Sequence, residues 1–454
     1  MISKCPFSFN AVTSYPDAAK ATTTTTGTTG KDGSRSTSPV TVITNLANPR
    51  SSDGMGLPTE LSTATIDMIV ATAPAVAPKM LDITKCFYSK VLSKHPALLQ
   101  WFNPAHNVPN SDHQPMALAG ACIAYATNIK DLTPLLVGGG PVAAICHRHA
   151  ALAIFPGQYV VVHDNLMEAI GDILGDIVTP EIAAAWSEAV LFLAKAMIDT
   201  EESLYKMAEQ RSGGWSGFSE FDVSEINSLT EDVKQISFKP PAGGVLEGST
   251  FEFTPGQYLS LQIDMDGDNK SAPRHYTVTS PVNADYLQCT MKKIPGGKLS
   301  TYVHEQLKVG DKVTLSAPFG VFVEPETEMT STVLMSAGIG VTPMVNLYRS
   351  KTTDVKLIVH VDKTPDSHPY KGYFDDSGID TLYKYTKVDG RPVVSELITE
   401  TLAKAGKDNE FYICGPEKWM DDIQKELLAN GAKKVICEVF GSQLATGCPF
   451  FAGN

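Results

Sequence analysis

From Pro58 to Gln210 apolar residues recur with a helical period, and the turn signals Asn103-Pro104, Gly138-Gly139-Gly140 and Thr179-Pro180 divide the stretch into segments of helix length. Thr179 is placed to cap, and Pro180 to open, a last helix that runs through Trp186, Phe192 and Met197 and carries Glu201. Arg211-Ser212-Gly213-Gly214-Trp215-Ser216-Gly217 interrupts the pattern, and beyond it the period becomes that of a strand. Runs at 251–253, 258–263, 275–279 and 312–315 alternate with Gly, Pro and Asp turns, which predicts an antiparallel β-barrel. After about residue 325, buried-type strands at 333–335, 355–359 and 411–413 are separated by helical stretches, the pattern of a parallel α/β sheet.

The chain therefore reads as multidomain: an extension over 1–55, an all-α domain over 56–210, a β-barrel over 215–326, an α/β domain over 330–442 and a tail over 443–454. The extension is rich in Ser, Thr, Gly and Pro, shows no hydrophobic period and is expected to be disordered. The change of period also predicts that the second half is a separable module starting near Trp215.

A length of 454 residues exceeds what one core can organise, and 43% apolar with 19% charged residues is ordinary for a globular protein. The net charge of -13 argues against a nucleic-acid partner. No apolar run approaches the length of a membrane span, so a transmembrane segment is not expected. The eight cysteines include no C-x-x-C pair, which excludes the usual zinc-ribbon and iron–sulfur spacings and, with C-x-x-C-H absent, covalently attached haem. They read as free thiols in a reducing compartment, so a cytoplasmic location is expected. A mitochondrial presequence is the alternative, since the extension has few acidic residues but also few arginines.

Candidate chemistry falls into three groups. In the helical part, His149 lies in an apolar helix that stops at Pro156, just before Tyr159. Gln114 and Leu118 share one face of a helix in which Pro115 suits the first position, and Tyr88 and Phe102 supply a phenol and an aromatic wedge. In the barrel, Arg274-His275-Tyr276-Thr277 puts a guanidinium and a phenol on one strand face, behind Pro255-Gly256-Gln257-Tyr258 and ahead of Gly296-Gly297-Lys298-Leu299-Ser300, which opens a helix with free amides. In the α/β part a strand enters Gly338-Ile339-Gly340-Val341-Thr342-Pro343, where two glycines let the backbone approach a pyrophosphate. Cys414-Gly415-Pro416 and Glu438-Val439-Phe440-Gly441-Ser442 each follow a strand.

These residues resemble the flavohaemoglobins: 57–206 is similar to their globin domain, and the three barrel pieces and the two α/β loops resemble the ferredoxin reductase family. The resemblance implies that His149 is the proximal ligand of a b-type haem, with Tyr159 and Glu201 as its hydrogen-bonded relay. It places Tyr88, Gln114 and Leu118 on the distal side and Phe102 against the porphyrin. Arg274 and the glycine turn Gly296-Gly297 with Ser300 would bind the pyrophosphate of FAD, while Tyr258, His275, Tyr276 and Thr277 contact the flavin or its ribityl chain. Gly338, Gly340, Thr342, Pro343, Cys414 and Gly415 would face NADH or NADPH, and Phe440 with Val439, Gly441 and Ser442 would cover the flavin ring. The family usually has Cys-Phe-Gly-Pro there, so Val439 and Ser442 depart from it. Arg148 and Glu438 match charged positions that tune haem and flavin. The implied function is a nitric oxide dioxygenase acting on NO and O2, expected to be a monomer. Reduction of alkyl hydroperoxides or ferric iron, and oxygen binding or sensing, remain alternatives. Asp362, after the second α/β strand, leans toward NADH by disfavouring a 2′-phosphate.

Overall fold

The computed structural model describes residues 50–102, 106–136, 140–265, 271–323, 330–350 and 353–441. The expected extension up to residue 49, the turn signals Asn103-Pro104 and Gly138-Gly139, Ser442 and the tail lie outside the described residues. The first domain consists of α1 (Thr63–Val76), α2 (Met80–Lys94), α3 (His113–Thr127), α4 (Thr133–Leu136), α5 (Pro141–Ala151), α6 (Pro156–Leu174) and α7 (Pro180–Gln210). Thr179 caps α7 as its sequence predicts, its hydroxyl accepting the Ile182 amide at 3.4 Å. Helix α3 begins two residues before Pro115, which places Gln114 within the first turn. Ile83, Phe87, Tyr88, Ile170 and Trp186 form the centre of this domain's core.

The stretch Thr63–Lys94 is long and apolar enough to cross a membrane by length and composition, contrary to the expectation drawn from run length. A 3-10 turn at Ala77–Lys79 divides it, and Ile69, Val76, Met80, Ile83 and Phe87 are buried in the core. Within residues 50–55, assigned by composition to the extension, Ser51, Ser52 and Met55 are buried instead. Met55 is fully buried, Ser52 donates to Asp199 at 2.5 Å, and the Arg50 guanidinium lies 4.0 Å from the Tyr205 ring centroid.

The second domain contains β1 (Phe218–Thr230), β2 (Val233–Lys239), β3 (Tyr258–Gln262), β4 (Arg274–Thr277), β5 (Leu287–Lys292), α8 (Lys298–Glu305) and β6 (Lys312–Ser316). Its antiparallel sheet has the order β4-β3-β6-β1-β2-β5, and a Val278–Cys289 bridge joins the two edges into a barrel. The third contains β7 (Thr330–Ala337), α9 (Thr342–Arg349), β8 (Thr353–Asp362), α10 (Lys371–Asp375), β9 (Thr381–Tyr385), α11 (Val394–Ala405), β10 (Glu410–Cys414), α12 (Glu417–Ala429) and β11 (Lys434–Glu438). The sheet is parallel, ordered β11-β10-β7-β8-β9, so the topological switch point falls between β7 and β10.

The break in period is a packed seam. Gly214 is required there, because a Cβ would stand 1.9 Å from the Ala208 carbonyl oxygen. Arg211, just past α7, donates to Gln257 at 2.8 Å and to Thr254 at 3.0 Å, and Trp215 Nε1 donates to the Leu315 carbonyl at 3.2 Å. Cys146, Ala150, Leu204, Tyr205 and Ala208 of the helical domain share one continuous apolar core with Phe221, Leu259 and Phe319 of the barrel. The separable module read from periodicity is thus joined to the helices by shared burial.

His147 adds a polar contact to this seam: the Gly320 amide donates to its Nδ1 at 2.9 Å, and burial, with Arg211 nearby, lowers its pKa to about 4. The folded state therefore binds fewer protons than the unfolded one between about pH 6.5 and 4, and the contact's stability, present above this window, is lost as pH falls through it. We expect the thermal midpoint of the intact chain to fall across that window, and less steeply for His147→Gln, whose amide oxygen accepts from Gly320 without titrating. Equal slopes in calorimetry would contradict this.

Candidate functional site

Three helices converge on His149. Nδ1 lies 2.9 Å from the Tyr159 hydroxyl and 2.9 Å from Glu201 Oε1, and the Tyr159 hydroxyl donates to the same carboxylate oxygen. The Glu201 side chain is 3% exposed, so these two donors replace the water a carboxylate otherwise keeps. Burial and the adjacent Glu201 hold the Tyr159 phenol well above its ordinary pKa, leaving it a neutral donor. Nε2 of His149 has no hydrogen-bond partner among the described residues, so one ring nitrogen is anchored while the other is available to a ligand.

Tyr88 of α2 is buried, and its ring meets Phe102 edge to face at 5.8 Å. Burial raises its pKa, a nearby Cys122 adds to this, and a hydrogen bond with Gln114 opposes it. The structure thus brings Tyr88 and Gln114 together. Gln114 Oε1 also accepts from Asn107 at 3.2 Å, and Leu118 packs against the same core. Cys122 was not singled out from sequence, although it follows Gln114 and Leu118 at four-residue steps along α3. Burial pushes its thiol up to about 12, so it is neutral.

In the barrel, Tyr258 stacks on His275 with ring centroids 4.7 Å apart. Strand alternation leaves Arg274 and Tyr276 on the other face, as expected. Two features fit an anionic, ring-bearing ligand. Arg274 is partly buried with no carboxylate partner among the described residues, and its Nη1 donates only to the Pro273 carbonyl at 2.8 Å. His275 Nε2 is buried without a partner, and burial lowers this ring's pKa to about 3. Gly296 and Gly297 precede α8, where Ser300 Oγ accepts the Ile294 amide at 3.1 Å and so closes the turn.

The nucleotide domain docks on the end of β4. Thr342 Oγ1 donates to Thr277 Oγ1 at 3.3 Å, and Asn346 donates to the carbonyls of Val278 and Ser280 at 2.9 and 3.0 Å. The glycines of the two loops serve each other as well as a ligand. A Cβ on Gly340 would stand 2.2 Å from the Cys414 carbonyl oxygen, whereas one on Gly338 would meet open space. Gly338 therefore bears the ligand-facing reading, and Gly340 is explained by loop-to-loop packing. Pro343 and the Cys414 side chain are buried, and Gly415 fits closely against Trp419. Asp362, expected to disfavour a 2′-phosphate, is turned inward: it accepts from the Lys363 amide at 2.7 Å and Ser367 Oγ at 2.8 Å, and its side chain is 2% exposed.

Arg148 ties the helical domain to both others. Its Nη2 donates to the Val439 carbonyl at 3.4 Å, and it hydrogen-bonds Tyr258. Burial pushes Glu438 up to about 7, against the pull of Arg148. Val439 packs into the sheet core, Gly441 follows at a φ of 158°, and Phe440 is 48% exposed, so it is not the core aromatic that closes the sheet.

A globin-type helical domain with an anchored histidine, joined to a flavin-type barrel and a nucleotide-type parallel sheet, defines a multidomain haem–flavin oxidoreductase. The Oxidoreductase FAD-binding domain family matches residues 220–323. The chain is 31% identical over 403 residues to Flavohemoprotein A of Dictyostelium discoideum, covering 84% of this chain and 98% of that protein. It is 30% identical over 404 residues to the flavohemoprotein of Bacillus subtilis, covering 85% and 98%. The crystal structure of flavohemoglobin from Malassezia yamatoensis, with bound FAD and heme, superposes with a TM-score of 0.72 at 26% identity over 84% of this chain and all of that one. The chain belongs to the flavohaemoprotein family.

Removing the Arg148 guanidinium takes away the charge that opposes protonation of Glu438. Arg148→Leu should therefore move the Glu438 titration above the wild-type value of about 7. The protonated carboxyl band in infrared difference spectra, identified by its loss in Glu438→Gln, reports this directly, and an unmoved midpoint would contradict the electrostatic influence of Arg148.

Proposed function

We propose that this chain is a nitric oxide dioxygenase, converting NO and O2 to nitrate with electrons from NADH or NADPH delivered through FAD to haem b. The observation that carries this reading is the His149–Tyr159–Glu201 arrangement. Haem supplies one-electron iron chemistry when bound, and FAD turns two-electron hydride donation into the single electrons that iron takes. His149 would hold the iron through Nε2. Its Nδ1 proton is shared with the Tyr159 oxygen and the Glu201 carboxylate, which gives the imidazole anionic character and strengthens it as a ligand. That suits oxygen activation better than oxygen storage.

Tyr88 holds a neutral phenol proton on the distal side, where Gln114 orients it and Leu118 and Phe102 keep the surroundings apolar. Arg274 would pair with the FAD pyrophosphate beside Gly296, Gly297 and Ser300, and Tyr258, His275, Tyr276 and Thr277 would hold the rest of the molecule. Phe440 would shield the flavin ring until nicotinamide displaces it, with Gly338, Thr342, Pro343, Cys414 and Gly415 receiving the nucleotide. All three sites lie within one chain, so it is read as acting as a monomer. The six described cysteines are all free thiols, in keeping with a cytoplasmic location.

Tyr88→Phe keeps the ring and removes only the donor. Stopped-flow measurement should find oxygen dissociation about tenfold to hundredfold faster, the size of a hydrogen bond to a partly charged acceptor, with slower NO consumption at limiting oxygen and unchanged flavin reduction. An unchanged off-rate would remove Tyr88 from the chemistry. His149→Ala should lose the haem Soret band while keeping FAD, and retention of a normal band would show that another residue is the ligand.

A further inference from the structure

The end of β8 carries a specificity device that the function above does not fix. Backbone pairing between β7 and β8 runs to Ala337 and Val361, so Gly338 and Asp362 are the next residues along these neighbouring strands. Gly338 opens the loop read as receiving the pyrophosphate, and the strand order places β8 on the side of β7 away from β10. The adenosine half of a dinucleotide is expected over β8, where a free carboxylate would take the ribose hydroxyls and repel a 2′-phosphate.

Asp362, the first carboxylate at this strand end, does not present itself there. Asp362 is held by the Lys363 amide, by Ser367 Oγ and by His360 Nε2 at 3.3 Å. His360 is itself fixed from behind: Nδ1 lies 2.8 Å from Ser336 Oγ, and its ring stacks on His368 at 3.8 Å. Turning Asp362 outward would orphan these groups, so the carboxylate stays inside. The next residue, Lys363, is exposed and has no ion-pair partner among the described residues. Its backbone is pinned on both sides, the amide to Asp362 and the carbonyl to the Lys387 amide at 2.9 Å. The carboxylate that would disfavour a 2′-phosphate is thus internalised, and the residue after it offers an exposed cation on a pinned backbone.

We propose that Lys363 reads the 2′-phosphate of the adenosine moiety, so that this chain accepts NADPH at least as well as NADH. This rests on the reductase reading of the α/β domain. The test is calorimetric titration of the full chain with 2′,5′-ADP and with ADP, alongside flavin reduction by NADPH and NADH, in wild type and Lys363→Glu. Wild type should bind 2′,5′-ADP no more weakly than ADP. Lys363→Glu should weaken 2′,5′-ADP and raise the KM for NADPH by roughly tenfold or more, the loss expected for a charge-assisted contact, leaving ADP and NADH unchanged. ADP binding much tighter than 2′,5′-ADP in wild type, or equal effects of the substitution on both pairs, would overturn the proposal while leaving the reductase reading intact. Failure of both dinucleotides to reduce the flavin would overturn both.

Discussion

A carboxylate that is 3% exposed has to be satisfied by protein groups, and in this chain the burial of Glu201 settles where His149 and Tyr159 stand. Helices α5, α6 and α7 each contribute one member, so the relay fixes their mutual rotation as well as the imidazole. Losing any one member would leave a buried charge or donor unmet, which is costlier than the bond itself. The three groups act as a unit because each supplies what the other two lack.

The same helices carry that constraint outward. Three successive residues of α5, turned about 100° from one another, address three neighbours. His147 accepts from Gly320 of the barrel, Arg148 reaches Val439 and Tyr258, and His149 faces the helical domain's own relay. Three residues past Glu201, α7 enters the core shared with the barrel through Leu204, Tyr205 and Ala208. The position of the histidine and the docking of the reductase half are therefore coupled through rigid helix rather than through a hinge.

Periodicity revealed the three architectures because each rests on local repeats of burial, and the Thr179 cap was legible because it is a contact between near neighbours. The recognition of His149, Tyr159 and Glu201 came from motif resemblance, since spacing alone cannot show that residues 42 and 52 positions apart touch. What was not legible is mostly non-local. The His147–Gly320 contact spans 173 positions, and the shared core is invisible when each domain's pattern is read by itself. Asp362 had the right type and place to disfavour a 2′-phosphate, but its neighbours His360 and Ser367 draw it inward. Gly340 fitted a ligand-approach motif while its closest constraint is the Cys414 carbonyl. Residues 50–55 lacked apolar periodicity, yet Arg50 and Met55 pack because a cation over an aromatic ring and one buried thioether need no repeat.

The central claim is that Glu201 polarises the ring of His149, proposed as the haem ligand. Resonance Raman spectroscopy of the ferrous haem protein reads this through the iron–histidine stretching frequency, compared between wild type and Glu201→Gln. The amide keeps the shape and an acceptor oxygen but removes the negative charge, so the account predicts a lower frequency in the variant. An unchanged frequency with the haem still bound would show that the carboxylate holds the helices together without acting on the metal.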